Sequence, residues 1–596
     1  MKMKFLKYII VGIATLLIGS DVLAQSRDSV IDMESEFTGD RKIFLRDANK
    51  ISTNPIIKEQ VVEMTTIQYS TLPTRRTVTI EPKPIAAAKI NVEDKLPRLY
   101  RGYIRAGAGS YFTTPVDFYY TDGRSKKGTF GVQYHFLRSA GLSQNDGDSI
   151  PDSFSDNKID VWGKRFFKKT TLQGGLDWER NVSHWYGFDN KKFTGSDVIL
   201  DSLRQRMNTL GGHASFMTFN RDSAELNYRF DLAVRNTSDL FAGKETNVDW
   251  VASANKLMEN ELYNAEIGIN YNTFKYVGPD LGKDGAPLID ENGIESRSGD
   301  NAVIRIVPTV QTVWKDLRAK VGLGVYFEAR GENPGHFYPL AEVSYNIAKG
   351  LIVPYAGIRG STEPTTYLGL YRENPFIQTF PDLKNRNNKI DAYGGIGGAI
   401  SKTVSFNAGV NYFSWGNFAY FVNDSLYMSD STQTYYSSVG NKFTVVYDDL
   451  KALNFHGELA LYSGEKWKAN VRGDYFKYTL NKDGEEHAWH QPGLKFTASG
   501  QYKLKDKVTI GMDIFYLGSR WAKSNVAVEG VEKQVDGSYH YKLDGFTDVN
   551  LNVEYRYNKR ISAWTSFNNA LALKYQRYSA YNNQQFLWTL GASYSF

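Results

Sequence analysis

Two imidazoles stand three residues apart in His487-Ala488-Trp489-His490. Oxygen-bearing side chains crowd Asn145-Asp146-Gly147-Asp148-Ser149, with Asp152 just beyond. A zinc site needs convergent ligands, usually a third protein group beside two histidines. A calcium loop needs roughly six to eight oxygens at fixed offsets with a closing Glu. Neither spacing is present, so both segments read as solvated loops. His135, His184, His213, His336 and His456 are scattered. The chain has no Gly-rich phosphate loop, no His-Glu-x-x-His and no nucleophile elbow. It has no Cys, hence no thiolate metal site, cysteine nucleophile, disulfide or lipid-bearing cysteine. The expectation is no catalytic residues, no metal, no cofactor and no enzyme. A net charge of +6 over 596 residues gives no argument for nucleic acid.

The elements that could position any site are strands. In Phe586–Phe596 one face reads Phe586, Trp588, Leu590, Ala592, Tyr594 and Phe596. Between them lie Leu587, Thr589, Gly591, Ser593 and Ser595. Val549, Leu551, Val553, Tyr555 and Tyr557 alternate with Asp548, Asn550, Asn552, Glu554 and Arg556. Ala265, Ile267, Ile269 and Tyr271 alternate in the same way. A period of two is a sheet with one apolar and one polar face. Many runs exceed the five or six residues of a soluble sandwich strand and end in aromatics, the girdle pattern of a lipid-facing barrel. With 39 Tyr, 34 Phe and 11 Trp, the chain is far too aromatic for disorder. Beyond the first 25 positions no apolar run is long enough for a membrane helix.

Lys2, Lys4 and Lys7 precede the apolar run Ile9–Gly19, and Val22-Leu23-Ala24 offers a cleavage site; residues 1–24 read as an export signal. Residues 25–98, polar and carrying Pro55, Pro73, Pro82, Pro84 and Pro97, read as an extended periplasmic arm. Residues 99–596 read as the barrel. Short links, such as Lys315-Asp316 and Asn558-Lys559-Arg560, alternate with longer ones at 140–157, 188–204, 279–300, 331–335, 362–388, 425–441, 481–491, 524–545 and 582–585. Counting from strands near 101–112, 115–121 and 128–139, the alternation predicts an all-β, transmembrane, antiparallel up-and-down barrel. It has about 22 strands, with 20 as the other count, and both ends on the periplasmic side.

The tail Asp548–Arg560, continuing through Ile561–Ala570 and closing with Gly591-Ala592-Ser593-Tyr594-Ser595-Phe596, resembles the C-terminal end of TonB-dependent receptor barrels of the Bacteroidota. The resemblance implies an outer-membrane location in a Gram-negative bacterium and a role in transport or uptake. The family carries a folded plug before the barrel; residues 25–98 are too short and too polar for one. The resemblance therefore implies a receptor-like barrel whose lumen is closed by the arm, by inward-folded loops or by a partner. The other reading is a non-conducting accessory barrel of a secretion, surface-protein or barrel-assembly complex. Trp588, Leu590, Tyr594 and Phe596 resemble the signal read by the outer-membrane assembly machinery. The loop 362–388 carries Tyr367, Leu370, Tyr371, Phe376 and Phe380, apolar enough to fold inward or to contact a partner. Expected partners are outer-membrane lipid, the assembly machinery during biogenesis, and envelope-complex subunits or a surface lipoprotein.

Overall fold

The computed structural model describes residues 100–123, 125–141, 152–188, 203–218, 225–241, 243–278, 295–331, 333–347, 350–379, 381–424, 438–464, 466–481 and 483–596, with the short pairs 280–281, 287–288 and 426–427. The export signal, the arm, the acidic loop before Asp152 and Phe380 lie outside the described residues.

Twenty-two antiparallel strands close into one barrel. In chain order they are β1 Gly102–Gly109, β2 Thr114–Thr121, β3 Gly128–Ser139, β4 Phe154–Phe166, β5 Thr170–His184 and β6 Arg204–Thr218. Next come β7 Asn227–Ser238, β8 Lys244–Met258, β9 Glu261–Gly278, β10 Glu295–Trp314, β11 Leu317–Glu328 and β12 Gly335–Tyr345. Then follow β13 Val353–Glu363, β14 Arg386–Ser401, β15 Val404–Asn423, β16 Phe443–Ser463 and β17 Trp467–Leu480. The last five are β18 Leu494–Leu504, β19 Val508–Leu517, β20 Phe546–Arg556, β21 Ile561–Asn568 and β22 Leu587–Ser595. Each strand pairs with its sequence neighbours, and β22 pairs with β1 to close the ring. Closure leaves no free sheet edge.

Alternation sets what each face meets. Leu176, Leu210, Val321 and Leu459 point outward and are more than half exposed, a wall that only an apolar medium solvates well. The inner face carries paired charges. Arg472 bonds Asp474 at 2.8 Å and Glu458 at 3.2 Å. Arg305 bonds Glu266 at 2.9 Å, and Arg359 bonds Asp391 at 2.8 Å. Where the ring closes, Gly107 faces Gly591. A Cβ at either would strike the Trp564 ring, at 2.7 Å and 2.5 Å. Glycine there lets the indole lie against the seam, with the Arg105 guanidinium 3.9 Å from its centre.

The wall is uneven. β1 and β2 hold 8 residues each, whereas β10 and β15 hold 20 and β16 holds 21. At the usual rise and tilt these heights are roughly 19 Å and 50 Å. The tall strands project beyond any bilayer and carry the long connections. The strand read at 101–112 stops at Gly109 because Tyr111 and Phe112 take left-handed φ of 56° and 50°. The last long connection runs from 569 to 586 rather than 582 to 585. Asn569, Ala572 and Ala580 have positive φ, and Gln576–Tyr578 folds back on Tyr581–Asn582 as a small hairpin.

Candidate functional site: a lid over the loop-side mouth

The connection between β13 and β14 holds the one α-helix among the described residues, α1 (Tyr367–Glu373). Thr366 caps it, its hydroxyl accepting from the Gly369 amide at 3.0 Å. The next two free amides are taken by another strand: Glu245 of β8 accepts from Tyr367 N at 2.6 Å and Leu368 N at 2.9 Å. Asn272 of β9 donates to the same carboxylate at 3.0 Å. A buried carboxylate at a helix N-terminus satisfies amides that would otherwise be orphaned and complements the helix dipole.

A second latch sits beside it. The Tyr367 hydroxyl donates to Asp239 at 2.8 Å, and the Gly243 and Phe241 amides donate to the same side chain at 2.7 and 2.9 Å. Burial nevertheless pushes the Asp239 carboxyl up to about 6, the donors only partly offsetting the cost of desolvating its charge. Further along, Arg372 bonds Glu179 of β5 at 2.6 Å. The loop then runs to the other side: Gln378 N donates to Phe443 O at 2.9 Å and Phe443 N to Phe376 O at 3.0 Å.

These contacts fix where the loop lies. It leaves β13 and returns to β14, yet it touches β5, which is eight strands round the ring from β13 where eleven is diametrically opposite. A segment that does this crosses the mouth. Underneath and around it Tyr367, Leu368, Leu370, Tyr371 and Ile377 pack with Met207 of β6, Phe274 of β9, Phe421 of β15, Val445 of β16 and Tyr578 and Tyr581 of the last loop. Phe376 stacks on Tyr581 with centroids 3.6 Å apart, and Tyr186 meets Tyr581 edge-on at 4.9 Å. Tyr578 donates to Glu373 O at 2.5 Å. Three connections thus share one apolar plate, which covers a lumen that 22 strands leave wide.

A second cluster buttresses the plate. Trp489 is fully buried among Tyr420, Val422 and Leu450, and its indole donates to Glu485 at 2.6 Å. Lys523 joins Glu485 at 2.9 Å and Asp536 at 3.1 Å. These contacts tie the connection 481–493 to the hairpin Arg520–Ser524/Tyr539–Leu543, which rises from the long connection after β19.

The two histidines of the His-x-x-His segment diverge. His487 stacks on Trp521 at 4.1 Å. His490 is held between Phe421 O at 3.0 Å and the Ser579 amide at 3.3 Å, with its ring positively charged only at great cost; burial pushes it down to about 3. Among the described residues no group of three or more His, Asp or Glu could hold a metal ion. Of the loop residues singled out in the sequence, Tyr367, Leu370 and Tyr371 are buried together and Phe376 packs against them. Glu245, Asp239 and Trp489 were not singled out. The first two look like ordinary polar positions at strand ends, and the long-range pairing that makes them latches has no sequence signal. Trp588, Leu590, Tyr594 and Phe596 stand exposed along the outer face of β22, with Tyr594 and Phe596 stacked at 5.9 Å.

The architecture, a closed antiparallel barrel of 22 strands, recurs among solved structures. No protein-family model matches the chain, and no curated protein matches it in sequence. Among solved structures it is similar to the ferric-catecholate import receptor Fiu of Escherichia coli K12 in its closed form (11% identity, TM-score 0.59, 84% of this chain and 82% of that one). It is similar to the FrpB iron transporter of Neisseria meningitidis (10%, TM-score 0.61, 84% and 82%). It is also similar to the pyoverdine outer-membrane receptor FpvA of Pseudomonas aeruginosa, bound to pyoverdine (13%, TM-score 0.54, 84% and 79%). At these identities the likeness is one of fold.

Proposed function

We propose that the chain sits in the outer membrane of a Gram-negative bacterium, of Bacteroidota type, and works as a TonB-receptor-like barrel in transport across that membrane. Its polar lumen is gated by the lid from the loop side. The observation that carries this reading is the crossing of the mouth by residues 364–379, latched to Glu245, Asp239 and Glu179 on one side and to Phe443 on the other. Residues 1–24 export the chain, and residues 25–98 serve as a periplasmic arm in place of a full plug. The latches are few and polar, the kind of contact that a ligand at the mouth can compete with. The reading assigns no reaction to the chain. Its test is transport: a lid crosslinked shut through cysteines placed at positions 245 and 367 must block permeation that the reduced protein allows. Equal permeation in both states would refute gating.

A second reading has its own support. Phe376, Tyr581 and Tyr186 tie the lid to two other connections through one stacked and one edge-on ring contact, which suits a permanent seal. A sealed barrel would be an accessory subunit of an envelope complex. Purification from mildly solubilised membranes separates the two: stoichiometric partners support the subunit, a solitary barrel the transporter. In either case Trp588, Leu590, Tyr594 and Phe596 act as the assembly signal.

A further inference from the structure

The outer wall of β3–β6 has a gap in its apolar relief. Phe130, Gly163, Gly174 and Ala214 stand opposite one another in register on these four strands. The next row toward the loop side carries Val161 and Leu176, and the row toward the turns carries Arg165 and Leu172. Two adjacent glycines and an alanine leave a groove of about 610 Å³, walled by Phe130 and Leu172. It is open rather than collapsed, for a Cβ on Gly163 would meet nothing within 4 Å.

The groove is apolar at one end and cationic at the other. Lys127 and Arg165 line its turn-side end, and both are exposed. Asp122 lines that end too, but its carboxylate is engaged by the Thr129 hydroxyl at 2.6 Å and the Phe130 amide at 3.1 Å. Phe166 and Phe167, both exposed, follow Arg165 and are themselves followed by Lys168 and Lys169. Aromatic rings beside cations at a strand end mark the level at which acyl chains give way to headgroups.

We propose that this groove binds one anionic glycerophospholipid of the turn-side leaflet. An acyl chain lies on the Gly163–Gly174–Ala214 floor, and the phosphate sits against Lys127 and Arg165. The inference rests on the membrane placement proposed above. It is tested with the full chain reconstituted in bilayers of phosphatidylglycerol and phosphatidylcholine, with insertion scored separately by heat-modifiable migration. The protein is then extracted and its retained lipids counted by native mass spectrometry.

The expected result is one retained lipid, phosphatidylglycerol in preference to phosphatidylcholine. Lys127→Gln with Arg165→Gln lowers its retention about fivefold per cation removed, and Gly163→Leu, which has room to fold, displaces it. Equal retention of the two lipids, or retention unchanged in both variants, overturns the site. Failure of the wild type to insert counts against the membrane placement instead.

Discussion

The two rims of the barrel are built on different principles. On the turn side the connections are short, and exposed rings such as Phe167, Trp314 and Tyr557 stand beside Lys168, Lys315 and Lys559. Little there depends on a distant residue. On the loop side buried groups touch parts of the chain far away in sequence: α1 meets β8, Phe376 meets Tyr581 and Trp489 meets Tyr420. Local sequence suffices to build such a rim. A lid has to be assembled from parts far apart in the chain, and it opens or fails as a unit.

Substitutions should therefore act strongly on the loop side and weakly on the turn side. Trp489→Ala is expected to cost about 3–5 kcal/mol of local stability. Faster amide exchange across both 486–493 and the 520–543 hairpin would register it. Equal protection in the variant would mean that the two connections are independent.

Two buried groups give the lid opposite pH responses. The Asp239 carboxyl titrates near 6 in the folded lid against about 3.9 in an open chain. Its raised value means that stability is fully present below the open-chain value and lost as pH rises through 6, by about 3 kcal/mol. His490 is depressed to about 3. Its contribution is present above about 6.5, the open-chain value, and lost as pH falls toward 3. After correction for intrinsic rates, amides of 366–374 should open more at pH 8 and those of 488–493 more at pH 5. Asp239→Asn should weaken the first trend, which the Glu373 carboxyl of α1, also raised by burial, shares, and leave the second.

Glu245→Gln keeps the shape but removes the charge that holds two amides, an expected loss of about 1–3 kcal/mol confined to α1. Protease cleavage within 366–379 would report it, and cleavage at 486–493 should not change. The smallest effect belongs to the turn side: Phe596→Ser should leave the folded barrel within about 0.5 kcal/mol while lowering the yield of assembled, heat-modifiable protein. An unchanged yield would remove the assembly-signal reading.

The wall was legible because period-two alternation is a local pattern, and Val549–Tyr557 or Ala265–Tyr271 display it in full. Alternating link lengths gave a count of about 22 strands with 20 as the other, and the barrel closes at 22. Strand ends were less legible wherever a single backbone angle decides them, as at Tyr111, Phe112 and Asn569. The apolar side chains of 367–376 could be noticed in the sequence, but their location over the lumen could not. That depends on Glu179, Asp239 and Glu245, which lie more than a hundred residues away and resemble any other strand-end acid.

The central claim is that the loops close the mouth, and single-channel recording of the purified wild-type barrel in planar bilayers tests it most directly. A barrel lacking 366–379 serves as the control that inserted channels can be seen. The lid account predicts that the control carries a large steady current and the wild type stays closed apart from brief openings. A large constitutive current through the wild type would contradict it.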